Sequence, residues 1–105
     1  MRLLREWLSP VQGAQFAKSG YFEVIGGETG RRYRIYPGTV SNVCEVDGKD
    51  RPRTGLCFRT LGELPMGDVM LAQKIALESC ESDALAVARR FELNGFMFHQ
   101  ARLLG

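Results

Sequence analysis

The chain has 105 residues, 45% of them hydrophobic and 25% charged, with a formal net charge of +2. These values are typical of a small globular domain, so we expect residues 1–105 to form a single domain and exclude a disordered chain. The net charge is too small to indicate nucleic-acid binding unless the basic residues are clustered. No apolar run approaches the ~20 residues of a membrane helix and no signal-peptide pattern is present, so we expect a cytoplasmic protein.

The first predicted elements are helical. Residues 2–8 favour a short helical turn, and Ser9 followed by Pro10 is a typical helix start with Ser9 as the N-cap. We expect this helix to reach about residue 18 and to end at Gly20, because glycine readily adopts the left-handed conformation that closes a helix. Its apolar residues are Val11, Ala14 and Phe16.

Strands are predicted between residues 21 and 60, where apolar and charged residues alternate with a period of two. Glycine and proline divide this region into four strands, at residues 21–25, 31–36, 41–47 and 55–60. Because the intervening loops are short, we expect an antiparallel meander.

In one register of this meander, apolar residues pair with apolar residues on one face of the sheet and opposite charges pair on the other. The pairs expected on the covered face are apolar: Phe22–Ile35, Val24–Tyr33, Ile35–Cys44, Tyr33–Val46, Cys44–Phe58 and Val46–Leu56. The pairs expected on the solvent face are oppositely charged: Glu23–Arg34, Arg34–Glu45 and Arg32–Asp47. This register places Cys57 on the solvent face as well.

Helical spacing after Pro65 predicts that helices cover one face of the sheet. We expect a helix over residues 69–80 with Asp68 as its N-cap, and more helix over residues 84–93. The predicted buried stripe consists of Val69, Ala72, Ala76 and Cys80, widened by Leu71 and Ile75. The predicted fold is α+β, a four-stranded antiparallel meander covered on one face by a C-terminal helical region and a short N-terminal helix.

The glycine-rich stretch at residues 26–30 invites comparison with a phosphate-binding loop. A P-loop continues with Lys-Ser/Thr, whereas Arg31 and Arg32 follow here. A dinucleotide-binding turn leads from a strand into a helix, whereas a second strand follows here. We therefore interpret this stretch as a hairpin turn.

Basic residues between positions 31 and 59 suggest a binding surface. The predicted register pairs Arg32 and Arg34 with acidic side chains. The exposed groups that have no such role in the fold form the candidate partner-binding surface: Arg31, Tyr36, Lys49, Arg51 and Arg53. Charge together with an amphipathic ring suits a protein interface, and a nucleic-acid-binding module that uses the basic loop is the alternative.

Catalytic and metal sites have weak support, because His99 is the only histidine and the three cysteines have no C-x-x-C spacing. We expect free thiols, no cofactor, no metal and no catalytic residue. Glu78 and Glu81 are spaced three apart on a helix, and such pairs usually face water. A third hypothesis is a small enzyme or ligand-binding domain with a pocket around four residues: Tyr33, Tyr36, Cys57 and His99.

The segment Met-Leu-Ala-Gln-Lys-Ile-Ala-Leu-Glu at residues 70–78 is followed by acidic residues 81–83 and by Ala-Val-Ala at 86–88. With the preceding strand pattern, this segment resembles a type of small bacterial and phage protein that has no assigned activity. The resemblance covers roughly residues 20–91. It implies a small mobile-element or prophage accessory protein, and it carries over no catalytic residue. Our first hypothesis for the function is a non-enzymatic protein of this kind that binds a host protein or complex.

Overall fold

The structure of the chain, a computed structural model, describes residues 2–39, 41–58 and 64–92. Its elements in chain order are α1 (Arg2–Trp7), α2 (Pro10–Ser19), β1 (Phe22–Ile25), β2 (Arg32–Ile35), β3 (Val43–Val46), β4 (Pro52–Cys57), α3 (Met66–Ser79), α4 (Glu81–Val87) and β5 (Arg89–Glu92). The predicted α+β class is confirmed. The apolar segment at residues 96–104, whose sequence is compatible with a last strand, a short helix or a tail, lies outside the described residues.

The start and end of α2 follow the sequence prediction. The Ser9 side chain accepts a hydrogen bond from the backbone N–H of Gln12 at 3.1 Å. The Gln12 side-chain oxygen accepts in return from the backbone N–H of Ser9 at 3.0 Å, which completes a capping box. Gly20 ends the helix with a φ of 79°, in the left-handed region.

The sheet is antiparallel throughout and has five strands in the order β1-β2-β3-β4-β5, whereas we predicted four. The fifth strand, β5, lies where helix was expected, because α4 ends at Val87 and Ala88 is extended. Gly55 makes this strand possible, since a side chain there would overlap the ring of Phe91 on β5.

The register is as predicted only between β1 and β2, where Phe22 pairs with Ile35 and Glu23 with Arg34. Between β2 and β3 it is shifted by one residue, so that Arg34 lies opposite Cys44 and Tyr33 opposite Glu45. Arg34 and Glu45 therefore lie on opposite faces, and the predicted charged ladder across three strands is wrong.

The pairing of β3 with β4 also differs from the prediction. Cys44 lies opposite Gly55 instead of Phe58, and an irregularity after Glu45 brings Val46 opposite Pro52. The predicted Arg32–Asp47 pair is wrong as well, since Val46 lies opposite Arg32. The one-residue shift between β2 and β3 reverses the two faces of β3 relative to the prediction.

The main core lies between one face of the sheet and the helices. Its buried members are Leu4, Phe22, Val24, Tyr33, Ile35, Val43, Leu56, Met70, Leu71, Leu77 and Ala84. Partly buried residues pack against it: Leu8, Phe16, Phe58, Ala76, Leu85 and Ala88. We call this face of the sheet the covered face and the opposite one the outer face.

The buried stripe of α3 was predicted correctly only in part: Val69 and Leu71 are buried, and Ala76 is partly buried. The predicted members Ala72 and Cys80 are exposed, and Ile75 is 47% exposed. The buried residues instead include Met70, Gln73 and Leu77, and the stripe continues at Glu81 on α4. Because two members of the true stripe are polar, hydrophobic spacing alone favoured the neighbouring stripe.

The beginning of α3 also differs from the prediction. The helix starts at Met66 after Pro65, and Asp68 lies in its first turn instead of capping it. α3 and α4 are two separate helices that meet at Cys80.

A second buried cluster lies on the outer face and consists of Tyr36, Cys44 and Val46, with Tyr21 packed against it. The rings of Tyr21 and Tyr36 are 5.2 Å apart, and the guanidinium of Arg34 lies 4.7 Å above the Tyr21 ring. Cys44 is therefore buried as expected, but on the face opposite to the predicted one.

Polar contacts attach α2 to the free edge of β1. The Gln15 side-chain oxygen accepts from the backbone N–H of Glu23 at 2.9 Å, and the Gln12 amide donates to the Glu23 carbonyl at 3.0 Å. Val11 and Ala14, two of the apolar residues of α2, are exposed. Two glutamine side chains thus make the hydrogen bonds that the backbone of a neighbouring strand would otherwise make.

Candidate functional site

The β1–β2 turn at residues 26–30 binds a carboxylate of its own chain. The fully buried side chain of Glu81 accepts hydrogen bonds from the backbone N–H groups of Glu28 at 3.0 Å and Thr29 at 2.8 Å. It also accepts from the Thr29 hydroxyl at 2.5 Å and the Tyr33 hydroxyl at 2.6 Å. We predicted that Glu81 faces water, and this prediction is wrong.

The same turn and helix are joined by a second, reciprocal set of contacts. The Glu28 carboxylate accepts hydrogen bonds from the backbone N–H of Ser82 at 3.0 Å and from its hydroxyl at 3.1 Å. Each of two glutamates therefore accepts backbone hydrogen bonds from the other's segment. We call this arrangement, formed by Glu28, Thr29, Tyr33, Glu81 and Ser82, the glutamate clasp.

Two glycines allow the turn to approach the helices this closely. A side chain at Gly26 would overlap the Glu81 carboxylate, and one at Gly27 would overlap the backbone carbonyl of Glu78. The Gly27 N–H donates to the Leu77 carbonyl at 3.1 Å. Hairpin geometry, as predicted, explains the turn only in part, because the helix contacts are what require Gly26 and Gly27.

The electrostatics of the glutamate clasp keep Glu81 ionised. Burial by itself raises the pKa of Glu81, but hydrogen bonds from Thr29, Tyr33 and the backbone outweigh it and lower this pKa to about 2. Burial, followed by the hydrogen bond to Glu81, raises the pKa of Tyr33. Near neutral pH Glu81 thus accepts four hydrogen bonds as a carboxylate and Tyr33 stays protonated, an arrangement that stabilises the fold.

A second buried polar contact joins the sheet to α3. The side-chain amides of Asn42 and Gln73 donate to each other's oxygens at 2.9 and 3.0 Å. Asn42 also donates to the Tyr36 carbonyl at 2.9 Å. These amides are buried with their hydrogen bonds satisfied, so their position is explained by packing.

The β3–β4 turn at residues 47–51 is built from its own side chains. The Asp47 carboxylate accepts from the backbone N–H groups of Lys49 at 2.8 Å and Arg51 at 3.0 Å. These hydrogen bonds, that of Arg51 first, lower the pKa of Asp47. Asp50 has a φ of 61°, in the left-handed region. Local hydrogen bonds therefore fix the conformation of this turn.

Asp50 connects this turn to the outer face of β2. Its carboxylate forms an ion pair with Arg32 at 2.5 Å, and its carbonyl accepts from Arg34 at 3.2 Å. Both arginines also bind Glu23, at 2.9 and 2.8 Å. Hydrogen bonds to Glu23 and Asp50 raise the pKa of Arg32. The neutralisation of these two arginines is thus as predicted, although Asp50 takes the place expected for Asp47 and Glu45.

The structure divides the candidate partner-binding surface. Arg31 is 51% exposed and lies 3.8 Å from Glu45. Lys49, Arg51 and Arg53 are exposed in or beside the β3–β4 turn. Arg53 lies at the irregularity of this strand pair, between Pro52 opposite Val46 and Thr54 opposite Glu45.

Tyr36 does not belong to this surface. It is only 7% exposed and packs in the outer-face cluster, so its predicted exposure is wrong. We define the hairpin surface as Lys49, Arg51 and Arg53.

The residues of the predicted pocket are not brought together. Tyr33 is in the main core, whereas Tyr36 is in the outer-face cluster. Cys57 is partly buried opposite Arg89. His99 lies outside the described residues. Burial raises the pKa of the Cys44 thiol to about 12, which disfavours a reactive thiolate.

Within the described ranges, no three or more His, Cys, Asp or Glu side chains are grouped so that they could hold a metal ion. No helix in that part of the chain is long and apolar enough to cross a membrane. Comparisons of the chain with protein-family models, curated proteins and solved structures find no match.

Proposed function

We propose that this protein acts by binding a protein partner, without turnover of its own, and that the hairpin surface makes the contact. The observation that supports this proposal is the turn at residues 47–51. Its conformation is fixed by Asp47 and Asp50, while Lys49, Arg51 and Arg53 extend from it into solvent. A preorganised turn loses little conformational entropy on binding, which favours its use as a contact site.

The chemistry of this surface favours an acidic protein over nucleic acid. Asp47 lies 3.4 Å from Arg51, so charges of both signs are interspersed in the turn. A nucleic-acid site combines an uninterrupted basic track with exposed rings on which bases stack. Here the Tyr21 ring is already covered by Arg34, and Tyr36 is buried.

The class of partner that we propose rests on the resemblance of residues 20–91 to small bacterial and phage proteins. On this basis we propose a mobile-element or phage accessory protein that acts in the cytoplasm on a host protein or complex. The nucleic-acid-binding alternative is supported by three exposed cations within five residues. The experiment below distinguishes the two.

The test is affinity capture from a bacterial host lysate, with and without nuclease treatment. We expect the same captured protein in both arms, and loss of capture in the double variant Arg51→Glu/Arg53→Glu. The matched control is Lys18→Glu/Arg90→Glu, which changes the net charge equally at exposed positions elsewhere. Capture that survives the Arg51/Arg53 reversal contradicts the assigned surface. Capture that disappears only with nuclease treatment supports the nucleic-acid alternative.

A further inference from the structure

A cavity lies between the two N-terminal helices, away from the hairpin surface. Its volume is about 220 Å³, and the described residues that line it are Arg5, Leu8, Gly13, Phe16 and Ala17. This volume corresponds to roughly seven groups of the size of a water molecule or a methylene. The aliphatic and aromatic side chains of Leu8 and Phe16 make its lining largely apolar, with a single guanidinium among these five residues.

Gly13 is unfavourable for α2 and is not required by packing. Glycine inside a helix costs about 1 kcal/mol relative to alanine. At Gly26 and Gly27 a side chain would overlap the helices, but a Cβ at Gly13 would meet no atom within 4 Å. The absence of a side chain at Gly13 therefore leaves the cavity open, although α2 would be more stable with one.

Arg5 gives the cavity a chemical preference. Its side chain is exposed at the cavity, and within the described ranges it forms no hydrogen bond or ion pair. A guanidinium beside apolar walls matches a molecule that carries a carboxylate at one end and a hydrocarbon group at the other. The guanidinium binds the carboxylate in two parallel hydrogen bonds, while the hydrocarbon displaces water from Leu8 and Phe16.

From the cavity, its glycine and its arginine together, we infer that the α1–α2 cavity is a binding site for a small organic carboxylate with an apolar chain of about six carbons. This inference does not depend on the proposed protein partner. Arg5 binds the carboxylate, Leu8 and Phe16 contact the chain, and Gly13 leaves room for it.

The test is a titration of the full chain with hexanoate, followed by backbone amide chemical shifts. We expect shifts confined to α1 and α2, with a dissociation constant on the order of 1 mM, as suits a ligand of eight non-hydrogen atoms. Hexanol and hexylamine have the same number of carbon atoms without the negative charge, and we expect each to bind at least tenfold more weakly. Equal binding of hexanol and hexanoate, or hexanoate shifts spread evenly over the chain, would overturn the inference.

Two variants separate the site from non-specific adsorption. Gly13→Leu fills the cavity and is expected to abolish hexanoate binding, whereas Ala14→Leu places the same side chain at an exposed neighbouring position and keeps it. Arg5→Gln is expected to weaken hexanoate binding at least tenfold and to leave hexanol binding unchanged. The amide spectrum of each variant reports whether it folds. A folded Gly13→Leu protein that binds hexanoate as tightly as the unchanged chain contradicts the assignment.

Discussion

The two hairpin turns of this sheet are fixed in opposite ways. The β1–β2 turn is fixed by distant residues, since Glu81 on α4 accepts its backbone N–H groups and the Leu77 carbonyl of α3 accepts the N–H of Gly27. The β3–β4 turn is fixed mainly by its own Asp47, with Asp50 joining it to β2. The first turn is therefore held against the helices, and the second leaves its cationic side chains available to a partner.

Removing the carboxylate of the first turn is expected to have the largest effect. Glu81→Ala leaves four donors, one of them the buried Tyr33 hydroxyl, without their acceptor, and we expect a loss of about 3–5 kcal/mol in the free energy of unfolding. Urea denaturation of both proteins measures this loss. The comparison variant is Asp47→Ala in the second turn, for which we expect a much smaller decrease. Equal decreases for the two variants would contradict the distinction between the turns.

Acid is expected to weaken the glutamate clasp in the intact chain. The pKa of Glu81 is about 2 in the folded protein and 4.5 without the fold, so the folded state binds fewer protons. The stabilisation is complete above pH 4.5 and is lost as the pH falls towards 2, by about 3 kcal/mol in all. Urea denaturation between pH 2 and 6 measures this change. Glu81→Gln has no titrating group here, so its stability is expected to depend less on pH. Identical pH dependence in both proteins would refute the assigned pKa.

Gly27→Ala tests the close approach of the first turn to α3. The added methyl overlaps the Glu78 carbonyl, which belongs to backbone and cannot rotate away. We expect a loss of about 2–3 kcal/mol, measured by thermal denaturation. An unchanged melting temperature would show that the turn lies further from α3.

Gly48→Ala is the matched change in the second turn and is expected to have the smallest effect. A Cβ at Gly48 meets nothing within 4 Å, so we expect a change within about 0.5 kcal/mol. Partner capture by this variant is expected to equal that of the unchanged chain. A loss as large as that of Gly27→Ala would mean that the second turn is also packed against other residues.

Local signals in the sequence were sufficient where short-range chemistry determines the structure. Ser9, Pro10 and Gly20 predicted α2 correctly, and alternation predicted the pairing of β1 with β2. For β3 the same alternation was ambiguous, because Val43, Cys44 and Val46 are all buried although they lie on two faces. A strand with apolar residues on both faces does not specify which face meets the helices.

The glutamate clasp could not be predicted from the sequence. Glu81 lies more than fifty positions from Thr29, and a buried glutamate has no compositional signature that distinguishes it from an exposed one. The exposed cations were easier to anticipate, because Lys49, Arg51 and Arg53 flank the turn residues Asp47 and Gly48. The burial of Tyr36 depends on the register of β3, so the wrong register also led to the wrong prediction that Tyr36 is exposed.

The attachment of α2 to β1 has a consequence for behaviour at high concentration. The backbone of Glu23 would otherwise offer an N–H and a carbonyl to a strand of another molecule, and unpaired edges of this kind promote intermolecular association. Many proteins prevent such association with charges or prolines at the edge. Here Gln12 and Gln15 occupy both groups, so the resistance of this edge to aggregation depends on two neutral amides and on α2 staying in place.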